Sequence, residues 1–511
     1  MTEQAKGIWT FLFILVAVEL RFYLLYYPIA FYNYLVPPGD DAANHYVMIE
    51  NILKGKFDTS YPWLFHYIIA TISRIGGWSV IDVLRYLTPA LVILPSIAIY
   101  IFLKQTFNRT TALIGFVICL WASNYGLVAY GDGNYPNIIA AGFLMPLAML
   151  YLLRSLKERK LSNYIWTMVL TLLIMLTHHL SAIYMIAVVP IYLIALGIWN
   201  KCEKLAVNYK RAMIYLGIVF AAVVGFVALL PIKQVFVAAF ASITGSGSFS
   251  AGANFTKPIE FGDYASQIGS LAFYGGLIGL LYLIYLLGEP KEKVNKSAIL
   301  MVLIWFVVIF VLSRLSQTGL PGRFAREAAV PLIMSLAISI GYFISMMRSN
   351  LQKSLATLFF GLIIFINLVQ VNAGQYMAPD FFNRMIWFSE QDKRAVDAIV
   401  KFTPKDAIIL ANPTTPYLPI FAEREIRFNV PPQVKIPSGV RDYAAQANIH
   451  FLFIGKKTPS NPDDKTYPFF ADFDKRTDLL KAAIVGCGPI SDKDETFAIY
   501  DLDKCKVKAK K

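Results

Sequence analysis

The sequence predicts a polytopic α-helical membrane protein that carries a C-terminal α/β domain outside the membrane. The first observation is the composition, because 57% of the 511 residues are hydrophobic and only 16% are charged. Soluble domains average about 45–50% apolar and about 25% charged residues. The second is a series of membrane-length apolar runs, and the third is a polar composition after residue 373. Together they exclude an ordinary soluble enzyme.

The apolar runs set the number of predicted membrane spans. A helix of about 20 mostly apolar residues crosses the hydrocarbon core of a bilayer. Eleven runs satisfy this length, separated by short polar breaks: 8–31, 80–103, 111–130, 137–153, 164–180, 181–199, 213–230, 265–288, 298–315, 329–347 and 355–373. The first run is too long for a signal peptide and lacks the small-residue cleavage site, so it is predicted to be a helix.

Basic residues predict the orientation of these spans. With the N-terminus inside, the breaks on the cytoplasmic side hold 16 lysines and arginines against five acidic residues. This asymmetry follows the positive-inside rule, and it accounts for the net charge of +14 without nucleic acid as a partner. We therefore predict a multi-pass protein of the cell membrane, with a membrane domain at 1–373. The odd number of spans places residues 374–511 outside.

The C-terminal segment has the pattern of a small α/β domain. Its β-rich runs and helix-like stretches are Ala407–Ala411, His450–Ile454 and Thr496–Asp501, and 389–402 and 474–484. Cys487 and Cys505 both fall in this domain. An oxidising compartment would permit a disulfide, but the sequence does not fix the distance between the two residues. The sequence therefore allows both possibilities, two free cysteines or a disulfide between Cys487 and Cys505.

The first outer loop carries two adjacent acids, Asp40 and Asp41, followed by His45. Asp41 and His45 are four residues apart and therefore share one face of a helix. An N-cap requires one acid, so the second acid and the histidine are candidates for chemistry. The alternative is an interfacial helix with an acidic cap and no catalytic role.

Two further polar groups fall at the predicted outer surface. Asp132 lies in a tight loop rich in Gly, Asn and Pro, which as a simple turn would need no function. His178 and His179 follow one another at the junction of two spans. Adjacent helical residues point in different directions, so we expect one histidine to reach the outer cavity and the other to be structural.

The last outer loop contains Arg323 and Arg326, which break the positive-inside pattern. The two arginines are three residues apart and share a face if the segment is helical. A guanidinium group is suited to bidentate contacts with phosphate. The alternative is an ion pair with Glu327 or with lipid headgroups.

These features, in this order, resemble the GT-C superfamily of membrane glycosyltransferases. That group includes protein O-mannosyltransferases, dolichol-pathway mannosyl- and glucosyltransferases, lipid A aminoarabinose transferases and oligosaccharyltransferase catalytic subunits. Its hallmark is an acidic motif that opens a juxtamembrane helix ending near a glycine, as Asp40-Asp41 through Gly55 do here. Tyr61-Pro62-Trp63-Leu64 resembles the family's His-Pro-Pro-Leu opening of the next helix. The resemblance covers roughly residues 8–373.

The resemblance implies a reaction and its partners. The donor would be a polyprenyl-phosphate-linked sugar, a hexose such as mannose, in the membrane lipid. The acceptor hydroxyl would belong to a glycan, a lipid or a protein, and transfer on the extracytoplasmic side would invert the anomeric configuration. The phosphate is already a good leaving group, so a base for the acceptor and a cation for the phosphate suffice.

The resemblance also suggests residue roles. We assign the base to Asp41, because its spacing to Gly55 matches the family better than that of Asp40. Family members often carry an acid where Asp132 stands, and a late outer arginine that contacts the lipid phosphate, a role for Arg323 first and Arg326 second. His45, His178 and His179 complete the candidate substrate-binding set.

Two departures narrow the prediction. The family's Asp-Glu pair is Asp-Asp here. The Trp-Trp-Asp-Tyr-Gly motif of oligosaccharyltransferases is absent, since Trp387 is the only tryptophan after residue 374. This argues against transfer of an oligosaccharide to asparagine. No cofactor is certain, and a divalent metal ion held by Asp41, Asp132 and a histidine stays open, although monosaccharide-phosphate users of the family commonly work without one.

Two other classes of protein compete with this interpretation. A transporter or flippase of lipid-linked sugars would place charges at the bilayer midplane and repeat its helices, yet only Glu19 and Arg21 lie deep in a predicted span. A polysaccharide polymerase or ligase would also act outside on lipid-linked sugars. The acidic pair directly after the first helix favours a glycosyltransferase over both.

Overall fold

The computed structural model describes most of the chain as two compact units. The described residues are 3–31, 35–39, 41–56, 61–158, 160–203, 258–289, 294–315, 321–368, 388, 390–412, 417–428, 430, 433–455, 473–491 and 497–505. We call Met1–Tyr27 with Met48–Ala378 the membrane unit, and Pro28–Val47 with Pro379–Lys511 the α/β unit. The loop that carries Asp41 thus groups with the C-terminal residues.

Nine helices in the described part of the chain are long and apolar enough to cross a membrane. They are Gly7–Tyr27, Val80–Thr106, Arg109–Gly131, Tyr135–Glu158, His179–Trp199, Leu271–Gly288, Lys296–Arg314, Pro321–Met346 and Asn350–Leu368. Each coincides with a predicted span. The span predicted at 164–180 is the 17-residue apolar helix Leu161–Thr177, and the one at 213–230 lies outside the described residues. The prediction of a polytopic helical membrane protein is confirmed.

Several spans are built from shorter helices. The individual helices of the first half are Glu3–Phe31, Asp41–Leu53, Leu64–Gly76, Val80–Leu91, Leu94–Thr106, Arg109–Val117, Tyr125–Gly131, Tyr135–Asn137, Met145–Glu158, Leu161–Thr177 and His179–Glu203. Those that follow are Phe261–Asp263, Tyr264–Ile268, Gly276–Gly288, Lys296–Arg314, Pro321–Glu327, Ala329–Met346 and Asn350–Leu368.

Local hydrogen bonding and backbone conformation explain two of the helix ends. Ser79 caps the fourth helix by accepting a hydrogen bond from the Asp82 amide at 3.1 Å, and Gly77 ends the third with a left-handed φ of 65°.

In the described part of the membrane unit, three π-helical turns interrupt the spans. They are Ile118–Ala122, Ile138–Leu144 and Leu271–Gly275. π-helical turns are rare and occur frequently at functional sites. Two of them flank the segment between residues 123 and 137, which carries Asp132. The widened turns therefore lie at the two ends of a polar segment.

The segment between the first two π-helical turns is fixed by hydrogen bonds to a second chain segment. The Ser123 hydroxyl donates to the Ile268 carbonyl at 2.9 Å, and the Asn124 amide donates to the Ser266 carbonyl at 3.0 Å. Gly269, with a φ of 97°, permits this close approach, because a Cβ atom there would lie 2.8 Å from the Ala122 carbonyl oxygen. The polar segment is thus held rigidly.

The α/β unit contains a four-stranded sheet in the order β2-β1-β3-β4. The strands β1 to β4 are Ile408–Asn412, Glu425–Phe428, Phe451–Gly455 and Phe497–Asp501, and the helices are Glu390–Phe402, Leu418–Ala422, Pro437–Gln446 and Phe473–Ala483. Strand β1 pairs in parallel with β2 and β3, and β4 is antiparallel to β3. Leu410, Leu452 and Leu480 are fully buried in its core. The predicted C-terminal α/β region is confirmed, and Cys487 forms a disulfide with Cys505.

Candidate active site

The helix Pro321–Glu327 presents both candidate arginines of the membrane unit. Proline suits the first helical position, because its missing N–H has no partner there in any case. Phe324 is buried and packs its ring against that of Tyr184, with 4.9 Å between centroids. This contact anchors the helix in the bundle. Arg323 is half-buried, and Arg326 is 2% exposed.

Arg326 forms an ion pair with Asp132. Its Nη1 atom donates to a carboxylate oxygen of Asp132 at 2.7 Å. Asp132 directly follows the helix Tyr125–Gly131, and its side chain is 39% exposed. A short hydrogen bond between charged groups is roughly twice as strong as a neutral one. The structure thus joins two residues that the sequence predicted separately.

Glu327 lies on the other side of the Arg326 guanidinium and is also buried. The Tyr125 hydroxyl donates to its Oε2 atom at 3.0 Å, and Asn137 Oδ1 lies 3.4 Å from the same hydroxyl. The Glu327 Oε1 atom lies 3.8 Å from Arg326 Nε, too far for a hydrogen bond. Two carboxylates therefore flank one buried guanidinium.

Several buried polar atoms around this helix make no hydrogen bond within the described protein. They are Arg326 Nε and Nη2, Glu327 Oε1, the Tyr184 hydroxyl and His179 Nδ1. Most buried polar atoms in native proteins have a partner in protein or water. The charges of Glu327, Arg326 and Arg323 all act on the Tyr184 hydroxyl. The surroundings of the helix are therefore polar, and they suit a polar or anionic ligand.

Three of the five histidines gather around the Tyr61 ring. The ring centroids of His66, His178 and His179 lie 5.6, 6.5 and 5.3 Å from that of Tyr61. His178 is buried, and its Nδ1 atom lies 2.8 Å from the Ser181 hydroxyl, which suits a structural role. The charge of Arg323 acts on His179. His179 is therefore within electrostatic reach of the arginine helix.

Asp41 and His45 belong to the α/β unit, whereas the other described candidates belong to the membrane unit. Asp41 begins the helix Asp41–Leu53, and His45 lies one turn later with 4% exposure. Asp40 lies outside the described residues.

A site for a divalent metal ion would require a cluster of His, Cys, Asp or Glu side chains. No group of three or more His, Cys, Asp or Glu side chains that could hold a metal ion occurs among the described residues. The Asp132 carboxylate instead accepts a hydrogen bond from Arg326.

Sequence reasoning missed part of this site. The sequence predicts Glu327 only as a candidate ion-pair partner, and it does not point to Tyr125, Asn137 or Tyr184. The chain has 29 tyrosines, and those in apolar helices carry no pattern that separates a hydrogen-bonding tyrosine from a packing one. The one sequence signal is the position of Glu327, two residues before the predicted span 329–347. An acid at the end of an apolar helix is readily buried, and carboxylates are rarely buried without a partner.

Comparisons with known proteins match both the sequence and the fold. The family model for dolichyl-phosphate-mannose-protein mannosyltransferase matches residues 60–230. No curated protein matches the sequence.

Solved structures match over most of the chain. The apo Archaeoglobus fulgidus oligosaccharyltransferase has a TM-score of 0.61 at 13% identity, covering 86% of this chain and 69% of its own. ArnT from Cupriavidus metallidurans, bound to undecaprenyl phosphate, has a TM-score of 0.58 at 12% identity, covering 96% of this chain and 97% of its own. The oligosaccharyltransferase AglB from A. fulgidus, with an inhibitory peptide and a dolichol-phosphate, scores 0.56 at 14% identity, covering 93% and 72%. At sequence identities of 12–14%, this structural similarity shows that the fold is shared and shows nothing about substrates or activity.

Proposed function

We propose that this chain, which has the fold of the GT-C membrane glycosyltransferases, transfers a single sugar from a polyprenyl-phosphate carrier to an acceptor hydroxyl. Mannose is our first choice of sugar, because the matching family model is that of dolichyl-phosphate-mannose-protein mannosyltransferases. The complexes of ArnT with undecaprenyl phosphate and of AglB with dolichol-phosphate support a lipid-phosphate carrier. The acceptor is a glycan, a lipid or a protein.

The structural observation that carries the proposal is the cationic helix Pro321–Glu327. It holds Arg323 and Arg326 at the start of the 26-residue apolar helix Pro321–Met346. Arg326 is buried there, and a buried charge is costly and marks function. Arg326 already faces the carboxylates of Asp132 and Glu327, so part of its charge is offset. Arg323 is therefore the first candidate for the donor phosphate, and Arg326 is the second.

Asp41 is the proposed base. Asp41 is the first residue of the helix Asp41–Leu53, and the helix fixes its backbone. Its side chain is partly accessible. As the acceptor oxygen attacks the anomeric carbon, the acceptor proton passes to the carboxylate. The bond from the anomeric carbon to the phosphate oxygen breaks, and the electron pair leaves with the polyprenyl phosphate. A positioned arginine stabilises that charge, and attack opposite the leaving group inverts the configuration.

We place the reaction on the extracytoplasmic side. The asymmetry of basic residues supports this orientation. The Cys487–Cys505 disulfide supports it independently, since disulfides persist in oxidising compartments.

The proposal is tested by incubating membranes that contain the chain with radiolabelled polyprenyl-phosphate mannose, and by following label that leaves the carrier. We expect transfer above that of control membranes, and loss of it in Asp41→Asn. A transporter or flippase would move the intact lipid across the bilayer and leave the sugar–phosphate bond unbroken. Intact donor at the end of the incubation would therefore contradict the proposal.

A further inference from the structure

The α/β unit contains a contact between its C-terminal residues and the loop of the proposed base. The Tyr417 hydroxyl donates a hydrogen bond to the Pro37 carbonyl at 3.2 Å, across 380 residues of sequence. Both residues belong to the α/β unit. Tyr417 is fully buried, and a buried hydroxyl is costly without a hydrogen bond. The buried hydrogen bond therefore indicates a specific contact between Tyr417 and the Pro37 carbonyl.

The Tyr417 ring is itself held by aromatic neighbours. Its centroid lies 6.3 Å from that of Phe388 and 6.2 Å from that of Phe421, and these two rings are 4.6 Å apart. Tyr417 directly precedes the helix Leu418–Ala422. Aromatic pairs at these separations add to the stability of a packed core. The hydroxyl is thus presented to the loop by a rigid group.

The fixed carbonyl is close to the proposed base along a stiff piece of chain. Pro37 and Pro38 each have a restricted φ, and Gly39 adopts a φ of 95°, which favours glycine. Residues 36–39 are all buried. One residue separates Gly39 from Asp41, where the helix begins. The Pro37 carbonyl thus belongs to a residue four positions before the start of that helix.

We propose that Tyr417 is a positioning residue that sets the geometry of Asp41 through the Pro37–Gly39 segment, which gives the C-terminal residues an indirect part in catalysis. This inference rests on the proposed function, in which Asp41 is the base. Tyr417 touches neither donor nor acceptor in this scheme. Its removal should change how well the base is placed and should leave donor binding unchanged.

The test compares Tyr417→Phe, which removes only the hydroxyl, with Tyr500→Phe on β4 of the same unit. With polyprenyl-phosphate mannose as donor, we expect kcat of Tyr417→Phe to fall by up to about 10²-fold, the cost of misplacing a reacting group by about 1 Å. The donor KM should stay near its wild-type value. The variant should stay folded with a modestly lower thermal unfolding temperature, because one buried hydrogen bond is lost. Tyr500→Phe should match the wild type. A folded Tyr417→Phe protein with wild-type kcat would overturn the inference.

A second measurement needs no substrate and separates the two proposals. Amide hydrogen exchange in residues 41–47 should accelerate in Tyr417→Phe and not in Tyr500→Phe, and unchanged exchange in the folded variant would overturn the inference. If wild-type protein transfers no sugar while exchange accelerates as expected, the proposed function fails and the anchoring role of Tyr417 stands. If Tyr417→Phe does not fold, Gly39→Ala alters the same segment from the loop side and should also lower kcat at constant donor KM.

Discussion

Arg326 and Asp132 form a hydrogen-bonded ion pair at 2.7 Å, although 194 residues separate them in the sequence. The pair joins the helix Pro321–Glu327 to the end of the helix Tyr125–Gly131. The Arg326 side chain is 2% exposed and that of Asp132 is 39% exposed, so Asp132 links a buried cation to the surface. This relationship gives Asp132 a role in holding Arg326, independent of any metal.

The first prediction concerns this pair. Asp132→Asn removes the charge and keeps the size, so it weakens a hydrogen bond to a buried guanidinium. We expect the free energy of unfolding to fall by about 2 kcal/mol, the scale of a hydrogen bond to a charged group. Thermal unfolding in detergent measures it. The control is Asp263→Asn, an exposed acid of the same unit, which should change little, and equal effects of the two variants would contradict the prediction.

The second prediction concerns the base. Asp41→Asn should lower the transfer rate by about 10²-fold or more, because it removes the proton acceptor. Asp40→Asn should have a smaller effect. Glu50→Gln is a matched control, since Glu50 lies on the same helix and pairs with Lys54 at 3.2 Å. Near-normal transfer in Asp41→Asn with loss in Asp40→Asn would show that the other acid is the base.

The third prediction concerns the donor phosphate. Arg323→Ala should raise the donor concentration required for half-maximal transfer, and Arg323→Lys should recover only part, because lysine restores the charge and not the fork. Arg314→Ala is the control, since Arg314 is exposed and donates to the Ile259 carbonyl. Unchanged donor dependence in both Arg323→Ala and Arg326→Ala would place the phosphate elsewhere.

The fourth prediction concerns topology. A cysteine introduced at Lys405 should react with a membrane-impermeant maleimide in intact cells, and one at Lys160 should react only after lysis. Both side chains are well exposed, at 82% and 69%, so differences in burial do not explain a difference in labelling. Labelling of Lys160→Cys in intact cells would reverse the orientation and with it the proposed side of the reaction.

The sequence predicted the elements that composition alone determines. Nine described spans coincide with predicted ones, because a helix in lipid must be apolar along its whole length. Strands β1, β3 and β4 lie within one residue of their predicted runs. Strand β2, Glu425–Phe428, was missed, since a short strand with charged residues at two of four positions has no apolar run.

Contacts between distant segments could not be predicted in the same way. Nothing local to Asp132 indicates Arg326 as its partner, and nothing near Tyr417 indicates the Pro37 carbonyl. The disulfide between Cys487 and Cys505 does not follow from the sequence for the same reason, because only the fold brings their Cα atoms to 4.9 Å. The individual candidates could be proposed from residue type and loop position, whereas their pairing depends on packing across the bundle.

Sugar transfer from the lipid carrier is tested most directly by the fate of the sugar–phosphate bond in the presence of the purified protein. The chain, in lipid nanodiscs, would receive polyprenyl-phosphate mannose labelled in the sugar, with a membrane extract as the source of acceptor. Released polyprenyl phosphate and transferred label would be counted over time. We expect repeated turnover by the wild type, with release of polyprenyl phosphate matching transfer, and about 10²-fold slower turnover by Asp41→Asn. Donor that stays intact with folded wild-type protein, or equal turnover by wild type and Asp41→Asn, would contradict the proposed transfer reaction.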